Sequence, residues 1–339
     1  MNEDQPHSNV SPLEPGKVTE APRAQTPSRG APLRWWGVIA LLFLPILDLV
    51  GGATVRSRVA PETDWESAAE FVRDSFEPED LIVAAPDWTD SLVYEQLGDL
   101  VGLRGAGRSD DAAYGRVWSL SIRGHLPTEY EGRVPAEQRF FGRVLVSRWD
   151  LGESRLLYSF LDHLEDASVE RVVGRSAQPC AYTRMPWGNS GLHWGAMFPA
   201  RRFQCDRGQP HLFVGETVQT DLDIKPRHCI WQHPQGTDPI RATFSNVPLG
   251  DRLVFYGGIY YQHERVMQGG ELQVQIRVGN DLLGGFTHQD GDGWKREEMR
   301  MPPGVPARGT VSVEVSSGSP HMRSFCWSAY TADGERGGE

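Results

Sequence analysis

The longest apolar run in the chain extends from Trp35 to Val55, and a single acid, Asp48, interrupts it. The run is 21 residues long, and a helix needs about 20 apolar residues to cross a bilayer. The pattern therefore predicts a transmembrane helix over 35–55. Residues 1–34 contain six prolines and few large apolar side chains, which predicts a disordered tail before this helix.

Helical and strand-like spacings alternate in residues 60–173, which we expect to form a small α/β domain. Thr63 and Glu66 have the spacing of a capping box at a helix start, and apolar residues then recur on one helical face as far as Phe76. Four further elements are predicted here: a strand at 81–85, a helix at 91–100, a third helix with Tyr114, Val117, Trp118 and Ile122 on one side, and a strand at 140–149.

Period-two alternation of apolar and polar residues dominates after Cys229. Strand-like segments at 240–244, 253–256, 272–278 and 311–315 are separated by turns rich in Gly, Pro, Asn and Asp. Short alternating strands without a helical stretch indicate an antiparallel, jelly-roll-like β-sandwich over 229–331. Residues 174–228 show little periodicity and are interpreted as a connecting region, and residues 332–339 as a disordered tail. The fold class predicted for the whole chain is α+β.

All four cysteines lie after the apolar run, in a region rich in Gly, Pro and short strands. That placement is typical of a disulfide-bonded exported domain. A bond between Cys180 and Cys205 would pin the long aromatic loop between them, and a bond between Cys229 and Cys326 would join the first and last strands of the sandwich. Four cysteines allow three connectivities, so the other two stay open.

The charges that flank the apolar run favour one orientation. Four bases precede it, against Arg56, Arg58 and Arg73 after it, and basic residues tend to stay in the cytoplasm. We therefore expect a single-pass protein of the inner (cytoplasmic) membrane, with residues 1–34 in the cytoplasm and the C-terminal region periplasmic or extracellular. A signal peptide cleaved near Ala53 is the alternative.

The formal net charge is −11, and it belongs to the region beyond the apolar run. Acidic surfaces are repelled by nucleic-acid backbones and by anionic lipid headgroups. Nucleic acid is therefore excluded as an expected partner.

Several segments resemble a known group of bacterial proteins. Residues 64–69, 78–83 and 85–88 are similar to the start of the soluble extracytoplasmic C-terminal region of multi-spanning membrane glycosyltransferases, the group related to protein mannosyltransferases and lipid A aminoarabinose transferases. Residues 229–234 and 292–294 resemble the β-sandwich tails of such proteins. The resemblance implies a cell-envelope setting. Because this chain has one predicted membrane helix where those enzymes have many, no catalytic residue carries over.

Two acidic segments have patterns that occur in metal sites. Residues 288–293 resemble half of a calcium loop but lack the later acidic ligand. Asp221 and Asp223 resemble the metal-binding acids of nucleotide-sugar transferases, without a nucleotide-binding domain around them. Both patterns are equally typical of turns between strands. We expect no metal and no cofactor.

Aromatic residues are the candidate ligand-binding groups. They are Tyr260, Tyr261 and Trp294 in the sandwich, and Trp187 and Trp194 in the loop between Cys180 and Cys205. Aromatic residues also fill ordinary β cores, but Tyr260 and Tyr261 are adjacent, so in a strand one of them faces outward.

No catalytic motif is present in the sequence: there is no nucleophile elbow, no phosphate loop and no zinc-binding pair of histidines on a helix. The leading hypothesis is therefore a non-catalytic module that binds glycan or protein in the cell envelope. An accessory subunit of a membrane glycosyltransferase and a hydrolase with a site assembled from distant residues are the alternatives.

Overall fold

The computed structural model describes residues 41, 43–52, 59–154, 156–184 and 198–334 of the chain. The chain divides into two compact units, Met1–Val59 and Ala60–Glu339. In the first unit, residues 41 and 43–52 are helical. Within the described residues no helix combines the length and the apolar character needed to cross a membrane. About half of the predicted span 35–55 lies outside the described residues.

The second unit begins with a small α/β region. Its elements are α1 (Glu62–Ser75), β1 (Asp80–Ala85), α2 (Asp90–Leu97), α3 (Leu103–Ala106), β2 (Arg116–Ile122), β3 (Glu137–Phe141) and β4 (Val144–Asp150). The strands form one sheet in the order β1-β2-β4-β3. β1 and β2 are parallel, and the other neighbouring pairs are antiparallel.

Helix α1 packs on this sheet through the residues that the periodicity predicts, with Trp65, Ala68 and Val72 buried. Its start differs from the prediction. The helix begins at Glu62 after Pro61, and no side-chain hydrogen bond caps it. Thr63 lies inside the helix, so the capping-box prediction is wrong. The fixed φ of Pro61, −66°, leads the chain into the helix without a side-chain cap.

The third predicted helix is also wrong, because its residues form the central strand β2. Val117 packs with Tyr130 and Trp149 on one face of the sheet, and Trp118 packs with the α1 cluster on the other. A strand covered on both faces has apolar residues at almost every position, so a subset of them matches helical spacing by chance. The strand predicted at 140–149 is divided by a turn at Gly142 (φ +57°), and its parts belong to β3 and β4.

The rest of the unit is an antiparallel β-sandwich of two sheets, which confirms the predicted β architecture. In the described residues the larger sheet contains β5 (Leu156–Ser159), β8 (Ala181–Arg184), β9 (Arg201–Gln204), β10 (Phe213–Thr220), β11 (Pro226–Gln232), β13 (Arg252–Ile259), β16 (Lys295–Arg300) and β18 (Phe325–Ala332). The smaller contains β6 (Ser168–Val173), β7 (Ser176–Pro179), β12 (Ile240–Pro248), β14 (Leu272–Val278), β15 (Asp281–His288) and β17 (Arg308–Ser317). A short helix, α4 (Tyr261–Val266), follows β13.

The strand orders place the end of β11, the start of β18 and the end of β13 side by side. The larger sheet runs β16-β13-β18-β11-β10-β9-β8, with β5 also paired to β18, and the smaller runs β15-β14-β17-β12-β6-β7.

The core lies between the sheets. Trp327 stacks on Phe255 with ring centroids 5.2 Å apart, and its Nε1 donates a hydrogen bond of 2.9 Å to Gln232. The buried indole N–H of Trp327 and the side-chain oxygen of Gln232 therefore each have a hydrogen-bond partner.

The sandwich begins before the predicted boundary at Cys229. Strands β5 and β6 lie within residues 60–173, and β7 to β10 lie within the region 174–228 that is interpreted above as a connection. Four of these strands, β5, β7, β8 and β9, have four residues each. So short a segment has too few alternations to produce a period-two signal.

Both predicted disulfides are confirmed. Cys180 lies between β7 and β8, where the chain crosses from one sheet to the other, and bonds Cys205 just after β9. Cys229 of β11 bonds Cys326 of β18, and these strands are hydrogen-bonded neighbours. The larger closed loop spans 97 residues and the smaller 25.

Candidate functional site

A pocket of about 990 Å³ lies at one end of the larger sheet. Because β10, β11, β18 and β13 pair antiparallel in turn, the starts of β10 and β18 and the ends of β11 and β13 meet at this end. The connections there supply the walls: residues 209–212, 233–235, 260–263 and 319–324. The volume is in the range of small-molecule sites.

The floor of this pocket is aromatic. Trp231 is buried and stacks on Phe213 at 5.2 Å with 7° between the ring planes. Its Nε1 donates a hydrogen bond of 3.1 Å to the carbonyl oxygen of His211. The same small cluster includes the Cys229–Cys326 disulfide, which fixes the strands that carry the floor.

Four histidines line the walls: His211, His233, His263 and His321. The rings of His211 and His233 meet edge to face, 4.8 Å apart. Nδ1 of His233 donates to the carbonyl oxygen of Pro234 at 2.7 Å, so its Nε2 is left as an acceptor. Burial lowers the pKa of His233 to about 3.

The other histidines with a shifted pKa are also held neutral. Burial lowers the pKa of His211, with a smaller opposing effect from Asp206. Burial also lowers the pKa of His263, and the nearby charges of Arg323 and His321 add to the effect. At neutral pH these imidazoles act as hydrogen-bonding groups without charge.

Tyr260 and His263 form the wall that follows β13. Their rings meet edge to face at 5.5 Å, and Tyr261 packs edge to face on Tyr260 at 4.9 Å. His263 Nδ1 lies 2.8 Å from Ser324 Oγ, which joins this wall to the start of β18.

The described lining of the pocket contains no Asp, Glu, Lys or Arg side chain. Aromatic rings, imidazoles, amides and hydroxyls make up its polar and apolar surface. Gln209, Gln235, Gln262 and the hydroxyls of residues 319 and 324 add donors and acceptors. This absence of charge is unusual on a chain of net charge −11.

Of the five aromatic residues predicted to bind ligand, the structure places one in this pocket. Tyr260 lines it, and Tyr261 lies beside Tyr260. Trp294 lies elsewhere, half-buried: its Nε1 donates to Ser109 Oγ at 3.2 Å, and its ring covers Gly258, where a Cβ would approach it to 2.8 Å. Trp187 and Trp194 lie outside the described residues.

The two acidic segments form turns. Asp221 is buried between β10 and β11, where it accepts hydrogen bonds from the amides of residues 223 and 225 and from Arg227. Residues 288–293 connect β15 to β16. Among the described residues no group of three or more His, Cys, Asp or Glu side chains is arranged to hold a metal ion.

A second cavity, of about 620 Å³, is lined by Leu103 of α3 and by residues of β8 to β11 in the larger sheet. Its lining is acidic, with Asp162, Glu165 and Glu216. Glu216 Oε1 accepts a hydrogen bond of 2.6 Å from Nε2 of His228, which lowers the pKa of Glu216. We call the first cavity the neutral pocket and this one the acidic cleft.

Hydrolysis of a glycosidic bond canonically uses a pair of carboxyl groups, which act as acid and base or as acid and nucleophile. The described lining of the neutral pocket has none. In the acidic cleft each carboxylate already has a partner: Asp162 pairs with Arg104, Glu165 with Tyr182 and Arg201, and Glu216 with His228. The acidic cleft thus gathers three carboxylates and an imidazole, so the hydrolase alternative stays a prediction.

No family model and no curated protein matches the chain. Among solved structures it is similar to the CBM51-2 and INT domains of Clostridium perfringens ZmpB in complex with GlcNAc (10% identity, TM-score 0.27, 35% of this chain and 26% of that one). It is also similar to CBM51 of a Clostridium perfringens GH95 protein in complex with methyl-galactose (10%, 0.25, 35% and 79%).

A third similar structure is the K1 cleaved adhesin domain of Lys-gingipain from Porphyromonas gingivalis W83 (14% identity, TM-score 0.26, 36% and 83% covered). The chain spans about a quarter or less of the length of the first three solved structures that it matches. Overlaps of this extent identify neither a ligand nor an activity for this chain.

Proposed function

We propose that the second unit is a non-catalytic glycan-binding module whose ligand is an uncharged sugar. The neutral pocket carries the proposal, because its described lining combines aromatic rings with amides, hydroxyls and neutral imidazoles and includes no charged side chain. A sugar ring presents apolar C–H faces and a rim of hydroxyl groups, each able to donate and to accept hydrogen bonds. Aromatic faces and neutral polar side chains are complementary to both.

The tautomer of His233 supports the same class of ligand. With Nδ1 donating to Pro234, Nε2 accepts, so it suits a hydroxyl donor. A carboxylate or phosphate has no proton to donate and finds no cation in the described lining. Desolvating such an anion without a partner is costly, so the pocket discriminates against acidic sugars.

Binding of the full-length chain to an array of neutral and acidic oligosaccharides tests this function, with dissociation constants then measured by calorimetry. We expect retention on neutral glycans and none on glycans ending in uronic or sialic acid. Tyr260→Ala should weaken binding by about tenfold or more, as truncation of a central aromatic contact does. Tyr182→Ala, a tyrosine of the acidic cleft, is the matched control and should bind like the wild type. Retention on acidic glycans alone, or an equal loss in both variants, would reject the proposal.

We further propose that this module works outside the cytoplasm, anchored by the predicted helix at 35–55. The two disulfides support this location, since such bonds persist in oxidising compartments. Labelling of intact cells with a membrane-impermeant thiol reagent should modify these cysteines after external reduction. Labelling only after lysis would reject the location. The accessory role beside a membrane glycosyltransferase stays a prediction.

A further inference from the structure

The turn between β15 and β16, residues 289–293, lies behind the neutral pocket and contacts two of its walls. Asp290 binds the first wall. Its two oxygens accept hydrogen bonds from Nη1 and Nη2 of Arg323, at 2.7 and 3.0 Å. Arg323 is fully buried, and it lies between Met322 and Ser324, which both line the pocket.

The space around the Arg323 guanidinium is filled. Gly269 packs directly against it, and a Cβ at position 269 would overlap the guanidinium atoms. Nε of Arg323 also approaches the carbonyl oxygen of His321 at 3.5 Å. The arginine therefore has one position, and the backbone of the 319–324 wall is held with it.

Glu264 connects the same turn to the second wall. This residue of α4 is 1% exposed, and its Oε1 accepts hydrogen bonds from the amides of Gly291 at 3.1 Å and Gly293 at 2.8 Å. Both glycines have positive φ, +96° and +68°, so the turn adopts a conformation that other residues rarely take. Glu264 directly follows His263, which lines the pocket.

The junction beneath Glu264 holds further buried polar atoms. His288 is fully buried, and its Nε2 lies 3.6 Å from Glu264 Oε1. Within the described residues, Glu264 Oε2 and both ring nitrogens of His288 have no hydrogen-bond partner. A half-satisfied polar network is sensitive to displacement of any member. Displacement of the turn 289–293 should therefore also displace α4.

Arg323 also acts on the pocket through its charge. After burial, which is the largest cause, the positive charge of Arg323 contributes to the lowered pKa of His263 and, more weakly, of His233. A cation held behind the wall thus helps to keep the imidazoles in front of it neutral.

We propose that Asp290, Arg323 and Glu264 are positioning residues, which act through the turn 289–293 to hold the two pocket walls 260–264 and 319–324 in the arrangement that binds ligand. The inference rests on the proposed function for its binding consequence alone. The mechanical coupling of the two walls is a property of the unliganded protein.

Hydrogen–deuterium exchange of the full-length, ligand-free chain tests the coupling. In Asp290→Asn we expect faster exchange in both walls, 260–266 and 319–324, although the substitution lies in neither. Glu314→Gln is the matched control, because Glu314 is a similarly buried carboxylate that binds Arg241 at 2.6 Å in the smaller sheet. It should leave both walls unchanged. Faster exchange confined to residues 289–293, or spread evenly over the sandwich, would overturn the proposal.

Arg323→Lys is the milder variant should Asp290→Asn unfold. It keeps the charge and loses the two-pronged hydrogen bond, so we expect the same two walls to exchange faster while the NMR titration of His263 stays near that of the wild type. In the double variant Asp290→Asn/Arg323→Met the buried cation is gone, and the pKa of His263 should rise. An unchanged His263 titration in the double variant would show that Arg323 has no electrostatic role.

The effect on binding is measured with the neutral oligosaccharide that the wild-type chain retains best on the array. We expect Asp290→Asn to weaken its binding by about tenfold, since breaking a buried ion pair leaves an unpaired charge, and Glu314→Gln to leave it unchanged. If the wild-type chain binds no neutral glycan, the proposed function fails. The hydrogen–deuterium exchange and the His263 titration would still show whether the two walls are coupled.

Discussion

His228 lies near the start of β11 and His233 directly follows its end, five residues further on, and their surroundings differ completely. His228 donates to Glu216 in the acidic cleft, whereas His233 faces the neutral pocket and its pKa is lowered to about 3. Strand β11 therefore connects the acidic cleft to the neutral pocket. Carboxylates of the segment after β5 and of β10 line the cleft, and uncharged groups line the pocket where loops converge at the end of the sheet.

The comparison teaches that net charge alone predicts little about a ligand site. The chain has a net charge of −11, which excludes anionic polymers as partners of the surface as a whole. Yet the described lining of the larger cavity is uncharged. Ligand class follows from the groups that the topology brings together, and two sites on one sheet can differ in class.

The largest expected effect is the loss of stability on removing either of the two disulfides. The Cys229–Cys326 bond belongs to the cluster under the neutral pocket and closes a loop of 97 residues. Removing it by the double substitution to Ala should lower the free energy of unfolding by about 4.7 kcal/mol in the chain-entropy estimate, against about 3.5 kcal/mol for Cys180–Cys205, which closes 25 residues. Guanidinium unfolding of both variants measures the difference, and the reverse order would contradict it.

The pH dependence of the free energy of unfolding should show that His233 is buried in its neutral form. His233 has a pKa of about 3 in the folded chain and 6.5 ordinarily. Between these values the unfolded chain binds a proton that the folded chain does not, so this histidine lowers stability as the pH falls below 6.5. The slope reaches about 1.4 kcal/mol per pH unit.

Urea unfolding from pH 8 to pH 4 tests this slope in the wild type and in His233→Gln. Above pH 7 the imidazole is neutral in both states, so the difference between the two proteins there is the baseline. The wild type should lose stability faster than the variant below pH 6.5. Parallel curves would show that His233 is not buried in its neutral form.

The sequence predicts several of the longer strands but not all of them, since β10 and β15 have eight residues each and no strand is predicted at either. β12, β14 and β17 have seven or more residues each, so their alternation is visible and the sandwich is predicted correctly. The four-residue strands before Cys229 are not visible in this way. β2 has the spacing of a helix because its two buried faces remove the alternation. In each case the amount of periodic signal limits the prediction.

The neutral pocket could be predicted only in part. Tyr260 is a candidate on the argument that adjacent tyrosines cannot both face inward in a strand. It lines the pocket, but that argument is wrong, because Tyr260 follows β13 and Tyr261 begins α4. Sequence patterns do not reveal Trp231 or the histidines His211, His233, His263 and His321, since they come from four connections up to 110 residues apart. No local spacing relates them.

The smallest expected effect lies in the acidic cleft. Glu216→Gln removes the charge in the bond to His228, and because the Glu216 side chain is 55% exposed, solvent screening limits the loss of stability at pH 7 to about 1 kcal/mol or less. The pKa of Glu216 is lowered in the folded chain, so its contribution is present above its ordinary pKa of 4.5 and is lost as the pH falls through the lowered value. The two proteins should therefore become equally stable once the pH is below that lowered pKa, and both should bind neutral oligosaccharides alike. A loss of oligosaccharide binding in Glu216→Gln would show that the cleft and the pocket are one site, and the contrast between them would fail.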